Sequence, residues 1–358
     1  MTTVAAAVVV LGVLIFIHEL GHFLVAKRLG VTVLRFSLGF GPVIARKQRG
    51  ETEYCLSAIP LGGYVKMLGE GMDEYESLSE EERRNSFTDQ KLWKRAAIVI
   101  AGPLSNFLLA ILLFAVVIKF IGVMDPTARI GQVKPDSPAE KAGILVDDVV
   151  REINGKPVES WIDLSTIIKS EEHYPLEIYL LRGEEILRVE VTPELTDIED
   201  YSGKTIKLPL IGVQPGEVPA TLQQSLYYAV IKSYNLSKLM LKTPLMLLQG
   251  EVSPRQLGGP IAIAQMAGEQ AREGLLNLVH FTGFISINLA ILNILPIPVL
   301  DGGLLLFFLI EAFLGRPLGT KQMEYAQRFG LMILMTLIVL VFYNDIMRIF
   351  TGAEWGSP

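Results

Sequence analysis

The sequence predicts a polytopic α-helical membrane protein with four transmembrane helices, a membrane-associated β-hairpin or small sheet, and an extracytoplasmic α+β domain. Three observations lead there. Half of the 358 residues are hydrophobic and the mean hydropathy is +0.40, values typical of a chain that meets lipid. Four stretches are apolar over the length of a bilayer core or close to it. Between the second and third of them, composition and period switch to those of short strands and turns. The net charge of −6 and the pI near 5.4 speak against a nucleic-acid partner. Cys55 is the only cysteine, which leaves no internal disulfide and no cysteine-rich zinc module. Its expected role is that of a small buried hydrophobe.

The first apolar stretch is Val4 to Ala26. No basic segment precedes it and no small-residue cleavage site follows it, so it is expected to be retained. Lys27, Arg28, Arg35, Arg46, Lys47 and Arg49 come after it. The positive-inside bias then places the N-terminus outside and the first loop in the cytosol. The second stretch, Ala96 to Ile118, carries the chain out again, so residues 120–274 are expected outside. Within it Gly102 and Pro103 permit a kink and a close neighbour, and Asn106 is expected to hydrogen-bond across to another helix as structural glue. The third stretch runs from Leu275 to Leu300 and is broken by Pro296 and Pro298; the fourth is Gly330 to Tyr343. Leu304 to Phe313 reads as an interfacial helix. Leu222 to Leu248 reads as an amphipathic helix on the outer surface, because Lys232, Lys238 and Lys242 interrupt it. The resulting domains are 1–122, 123–196, 197–274 and 275–358.

Val33 to Met67 does not read as helix. Glu53 to Ile59 and Gly63 to Met67 have strand composition around a Pro60-Leu61-Gly62 turn. An extended hairpin beside a membrane-embedded site offers an edge for pairing with a peptide. Glu70 to Glu82 reads as a solvated acidic linker. Thr127 to Glu194 forms a separate unit. Ala128 to Val133 is a strand, Asp136 to Gly143 a turn and short helix, and Asp147 to Gly155 a strand entering a tight turn. Trp161 to Lys169 is a helix, and Pro175 to Leu181 pairs with Ile186 to Val191 around Arg182-Gly183. His173 is expected to be solvent-exposed.

The chemistry lies in His18-Glu19-Leu20-Gly21-His22. On a helix the two imidazoles stand one turn apart on one face, where they can grip one Zn²⁺. Glu19, beside the first, can take a proton from the attacking water. The pentapeptide alone is only moderately specific. Its place inside an apolar span raises the stakes, because ionisable groups there are costly and mark function. The third ligand is expected to be Asp301, in Leu300-Asp301-Gly302-Gly303. In the deduced topology it lies at the cytosolic side, and His18 stands ~14 Å of helix before Lys27 at that side, so the two can meet. His18, His22 and Asp301 would leave a fourth position open, as in catalytic zinc sites. His280 is ~30 Å along the helix from Asp301 and is not expected to bind metal.

Together His-Glu-Leu-Gly-His, Arg35-Phe-Ser-Leu-Gly-Phe-Gly41, Ile59-Pro-Leu-Gly-Gly-Tyr-Val-Lys-Met67, Ala101-Gly-Pro-x-x-Asn106 and Asn293-x-x-Pro-x-Pro-x-Leu-Asp-Gly-Gly303 resemble the site-2 protease family. The match is closest to the bacterial regulator-of-sigma-E protease group and covers nearly the whole chain. The resemblance implies one Zn²⁺ on His18, His22 and Asp301, with Glu19 as general base. It implies that Asn293 and Asn288 hold substrate, and that Gly39, Phe40, Gly41 and the strands at Tyr54 and Tyr64 line its path. The unit at 123–196 resembles a protease-associated PDZ domain, which implies a peptide or protein ligand. One such domain is legible here, where the best-known members of the group carry two in tandem.

The function expected is that of an intramembrane zinc endopeptidase cleaving the spans of single-span membrane proteins, such as anti-sigma factors or remnant signal peptides. Two other classes compete. A metal-binding scaffold with an inert site would have no use for Glu19. A secondary transporter would show an inverted repeat, and a large insert between spans speaks against it.

Overall fold

The computed structural model describes residues 3–199, 205–252, 258–316 and 318–351; the outermost ends of the predicted domains 1–122 and 275–358 lie outside them. The described residues form two compact units. One comprises 3–114, 229–246 and the described residues from 258 onward; the other comprises 115–199, 205–228 and 247–252.

The first unit opens with helix α1 (Thr3–Arg28). Ala6, Val10, Leu14, His18, His22 and Ala26 are all buried, one every four residues. That spacing is a single inward stripe of a helix, so the apolar pattern itself turns both histidines inward. Strands β1 (Val33–Arg49) and β2 (Thr52–Met67) follow. Arg35 to Leu38 face Lys66 to Gly63 on one side and Glu53 to Leu56 on the other, while Val43 to Arg49 pair with Ser57 to Thr52. The strand runs through Pro60-Leu61-Gly62, contrary to the expected turn, because Ile59 and Gly63 on either side both pair with β1, at Phe40 and Leu38, across a shift of register. Phe40, Val43, Ile44, Leu56 and Ile59 are exposed apolar residues of this sheet, and Cys55 is buried.

The acidic stretch is not a plain linker. Helices α2 (Met72–Glu76) and α3 (Glu80–Arg84) form in it, the latter started by a Ser79–Glu82 capping box. Helix α4 (Leu92–Ile121) contains the second predicted span. Leu104, Leu108 and Leu112 form an exposed face one turn apart along it.

The second unit is built on strands β3 (Val123–Met124) and β4 (Ile130–Val133), helix α5 (Pro138–Lys141), strands β5 (Val149–Ile153) and β6 (Lys156–Pro157), and helix α6 (Trp161–Ser170). Strands β7 (Leu176–Arg182), β8 (Glu185–Val191), β9 (Glu194–Glu199), β10 (Thr205–Leu210), β11 (Val213–Pro215) and β12 (Glu217–Val218) complete it. The main sheet has the order β6-β5-β7-β8, and β4 pairs with β11. Ile130, Val150, Ile153, Leu164, Leu176, Ile178 and Leu180 fill its core. His173 is exposed, with 93% of its side chain accessible.

Asp125 pins one end of this unit. Its carboxylate accepts from the Thr127 amide and hydroxyl and from Arg129 Nε at 2.9 Å or less. Burial alone would raise its pKa, but these donors outweigh it and hold the carboxyl below the usual range. A depressed native pKa contributes stability that is present above the unfolded value, near 3.9, and is lost as pH falls through the native one. We expect Asp125→Ala to destabilise this unit by about 1–3 kcal/mol at neutral pH, and the deficit to shrink toward pH 3. Hydrogen exchange of peptides from 123–215 at pH 7 and pH 3 checks this, and equal protection of variant and wild type at pH 7 refutes it.

Helix α7 (Leu222–Gln249) buries the small residues Ser225, Ala229, Ser233 and Ser237 and exposes Leu222, Leu226, Tyr227 and Tyr234, an amphipathic pattern. Helix α8 (Pro260–Glu273) leads into α9 (Leu275–Ile294), α10 (Asp301–Leu314) and α11 (Thr320–Thr351). The third span therefore ends at Ile294 rather than Leu300, because Pro296 and Pro298 cannot continue the ladder. The fourth is longer than Gly330–Tyr343. Asp345 of α11 accepts from the amides of Gly259, Ile261 and Ala262, so a buried carboxylate caps the start of α8.

Helices α1, α4, α9 and α11 are long and apolar enough to cross a membrane. Only 17–33% of the residues in their most apolar windows are buried inside the protein. The remaining apolar surface therefore faces outward, which only lipid makes favourable.

Candidate metal centre

Three helices deliver the site. On α1 the inward stripe places His18 and His22 one turn apart, with ring centroids 4.8 Å from each other. The antiparallel α4 crosses α1 closely at Gly21, where a Cβ would lie 2.3 Å from the Ala101 carbonyl oxygen. On α4 it is Gly102 that faces the rings. A Cβ there would stand 2.2 Å from His22 Nε2 and 2.8 Å from a carbon of His18.

The third donor comes from the break between α9 and α10. Ile297, Val299 and Leu300 donate back to carbonyls two or three residues earlier, which winds 295–300 into a compact turn. Gly302 and Gly303 close it. A Cβ on either would sit within 2.3 Å of the Ile294 or Ile297 carbonyl oxygen. Asp301 thus opens α10 pointing at α1, its charge favoured by the helix dipole. Arg95 of α4 pairs with Glu311 of α10 and lies over the Phe308 ring, which ties α10 to α4.

Asp301 Oδ2 lies 3.2 Å from His18 Nε2 and 3.6 Å from His22 Nε2, and the two Nε2 atoms are 3.2 Å apart. His22 Nδ1 donates to the Ile98 carbonyl at 2.8 Å, so the neutral ring turns its Nε2 lone pair toward Asp301. Asp301 Oδ2 is buried without a hydrogen-bond donor. Three lone-pair atoms converging on one another repel unless a cation sits among them. The donor set of two imidazoles and a carboxylate, all within 4.8 Å, fits Zn²⁺.

A cavity of about 290 Å³ opens onto His18 and Asp301. Its walls are Ile15, Glu19 and His18 of α1, Phe40, Gly62 and Gly63 of the sheet, Leu289 and Asn293 of α9, and Val299, Leu300 and Asp301. Phe40 stands between Gly39 and Gly41, both at positive φ, and its ring occupies the space a Gly62 side chain would need. Tyr64 stacks on Phe40 at 6.3 Å and accepts a hydrogen bond from Arg35, behind the cavity wall. Two of the expected substrate residues are elsewhere. Asn288 donates to the Phe284 carbonyl of its own helix, and Tyr54 packs among Phe23 and Phe36.

Gly102 and Asn106, expected from the sequence as a point of close approach and as helix glue, stand with the Ile98 carbonyl beside the metal donors. Their spacing of four along one span was the available signal for this. His280 meets Lys232 and Phe114.

Comparison with known proteins places the chain among proteases. The model of peptidase family M50 matches residues 6–337. A Rhizobium meliloti protein named as a candidate zinc metalloprotease is 35% identical over 97% of each chain. Another of that description, from Mesorhizobium japonicum, is 37% identical over 94% of this chain and 96% of its own. The zinc metalloprotease RasP of Oceanobacillus iheyensis is 30% identical over 98% of this chain and its own full length.

Proposed function

The chain belongs to peptidase family M50, the site-2 protease family, as a multi-pass membrane protein and a zinc metalloprotease, and on that premise we propose that it cleaves peptide bonds within the spans of single-span membrane proteins. The observation that carries this reading is the convergence of His18, His22 and Asp301, with His18 and Asp301 on the wall of a cavity that Glu19 also lines.

In this reading His18, His22 and Asp301 hold one Zn²⁺. When bound, the ion supplies Lewis acidity that polarises the scissile carbonyl and lowers the pKa of water. Glu19, on the same cavity wall, accepts a proton from the attacking water and delivers it to the leaving amine. Gly62 and Gly63 line the cavity with Glu19, and the strand they belong to is read as the edge with which an extended substrate pairs. That matters because a helical peptide bond hides its carbonyl in the i→i−4 ladder. Asn293, whose amide nitrogen lies 3.4 Å from His18 Nε2, holds substrate or ring in place.

The unit at 123–196 is read as a PDZ domain. Supporting this is a groove of about 180 Å³ between α6 and residues 209–213, lined by Trp161, Leu164, Ile168 and Ile211. Its size suits one aliphatic side chain of a peptide or protein ligand. The positive charges after α1 place the N-terminus and this unit outside the bacterial cytoplasmic membrane, with the active site toward the cytosol. A reporter active only after export, fused at the Arg182-Gly183 turn, is expected to be active. The same reporter after Arg49 is expected to be silent, and the opposite pattern inverts the topology.

The function is tested with purified protein in detergent and a model membrane-span peptide. Cleavage is expected, with loss under 1,10-phenanthroline and recovery on adding Zn²⁺. Uncleaved peptide in the presence of stoichiometric zinc would favour an inert, metal-binding scaffold.

A further inference from the structure

Asn106 is fully buried on α4, and its backbone carbonyl is held by the Ser286 hydroxyl at 2.7 Å. Its Nδ2 lies 3.4 Å from His18 Nδ1, while its Oδ1 is buried with no hydrogen-bond partner. An amide can exchange these two ends by a half-turn about χ2.

The two histidines make parallel demands. His22 is already fixed by the Ile98 carbonyl, which can only accept and so keeps the proton on Nδ1. For His18 to present a lone pair at Nε2, its Nδ1 must likewise carry a proton, and that proton needs an acceptor. Asn106 Oδ1 is an orphaned acceptor on a side chain already within reach. Ile98, Gly102 and Asn106 lie four residues apart on α4 and face His22 and His18, four apart on the antiparallel α1. Gly102 clears room for both rings; its neighbours one turn away on either side orient them.

We propose that Asn106 is a positioning residue for the metal centre: with Oδ1 turned to His18 Nδ1, it fixes the tautomer in which His18 Nε2 ligates zinc. This half-turn gives the orphaned oxygen a donor and relieves the encounter of two donors on one ring, since Asn293 also approaches His18 through its Nδ2. The role is distinct from helix glue, which the Ser286 bond to the Asn106 backbone provides whatever side chain stands there.

The proposal rests on the reading that His18, His22 and Asp301 bind zinc, and the test separates the two. Zinc affinity of full-length protein in detergent is measured by chelator competition, with the visible spectrum of the Co²⁺-loaded form as a second readout. Asn106→Leu is expected to weaken zinc about 10–100-fold and to alter the Co²⁺ bands. Asn106→Asp, which keeps an acceptor facing Nδ1, is expected to stay within a few-fold of wild type. Wild-type affinity and spectrum in Asn106→Leu would overturn the proposal, as would an Asn106→Asp variant that loses zinc like His18→Ala. Should Asn106→Leu not fold, the comparison of Asn106→Asp with His18→Ala still decides. A wild-type protein that takes no zinc, or a His22→Ala variant that keeps it, defeats the metal-site reading instead.

Discussion

Glu19→Gln is expected to leave zinc bound and to remove cleavage almost completely, by ~10²–10⁴-fold or more. Gln matches Glu in size and sits on the cavity wall without being one of the three converging donors, so the ligand geometry should persist. What disappears is the group that takes the proton. His22→Ala is the counterpart. It removes a donor and leaves Asp301 Oδ2 buried with one imidazole, so both zinc and activity are expected to be lost. Zinc content and peptide cleavage measured side by side distinguish the pair. Near-normal cleavage by purified Glu19→Gln would falsify the assignment of the base.

Gly102→Leu is expected to cost at least ~10²-fold in activity without touching any chemical group, since displacing reacting parts by about 1 Å can cost that much. The first added carbon would stand 2.2 Å from His22 Nε2, well inside contact distance. Something must move, and the nearest movable atoms belong to the imidazoles of His22 and His18. Zinc is expected to fall with activity, and Gly102→Ala to show the same effect in weaker form. The control is Gly143→Ala in the second unit, where no atom lies within 4 Å of the new carbon; its positive φ makes any cost one of folding, not zinc. Full zinc occupancy in a folded Gly102→Leu protein would show that α4 can retreat from α1 and that the close crossing is dispensable.

Much of this centre is legible in the sequence. The four-residue repeat that buries Ala6, Val10 and Leu14 also determines where His18 and His22 point, because side-chain direction in a helix is a local consequence of pitch. The strand and turn pattern of 127–194 was equally legible, since hairpin turns such as Gly183 at positive φ are written in local residue types. Less legible were the elements whose state depends on distant partners. Pro60-Leu61-Gly62 looks like a turn in isolation, yet it lies inside β2 because Ile59 and Gly63 each find a β1 partner. Asn288 and Asn293 look alike in sequence, and only their angular positions on α9 separate the one bonded to its own helix from the one at the cavity.

The sequence by itself determined that lipid-length apolar helices would form, that two imidazoles would share a face, and that a carboxylate would follow a proline break. These follow from periodicity, composition and proline's missing amide. Only the tertiary structure decided that Asp301 reaches His18 at 3.2 Å, that Gly102 is the gap both rings fill, and that Ile98 and Asn106 stand behind them. Those facts depend on how closely two helices cross, a quantity set by mutual packing of side chains far apart in the chain and absent from any local pattern.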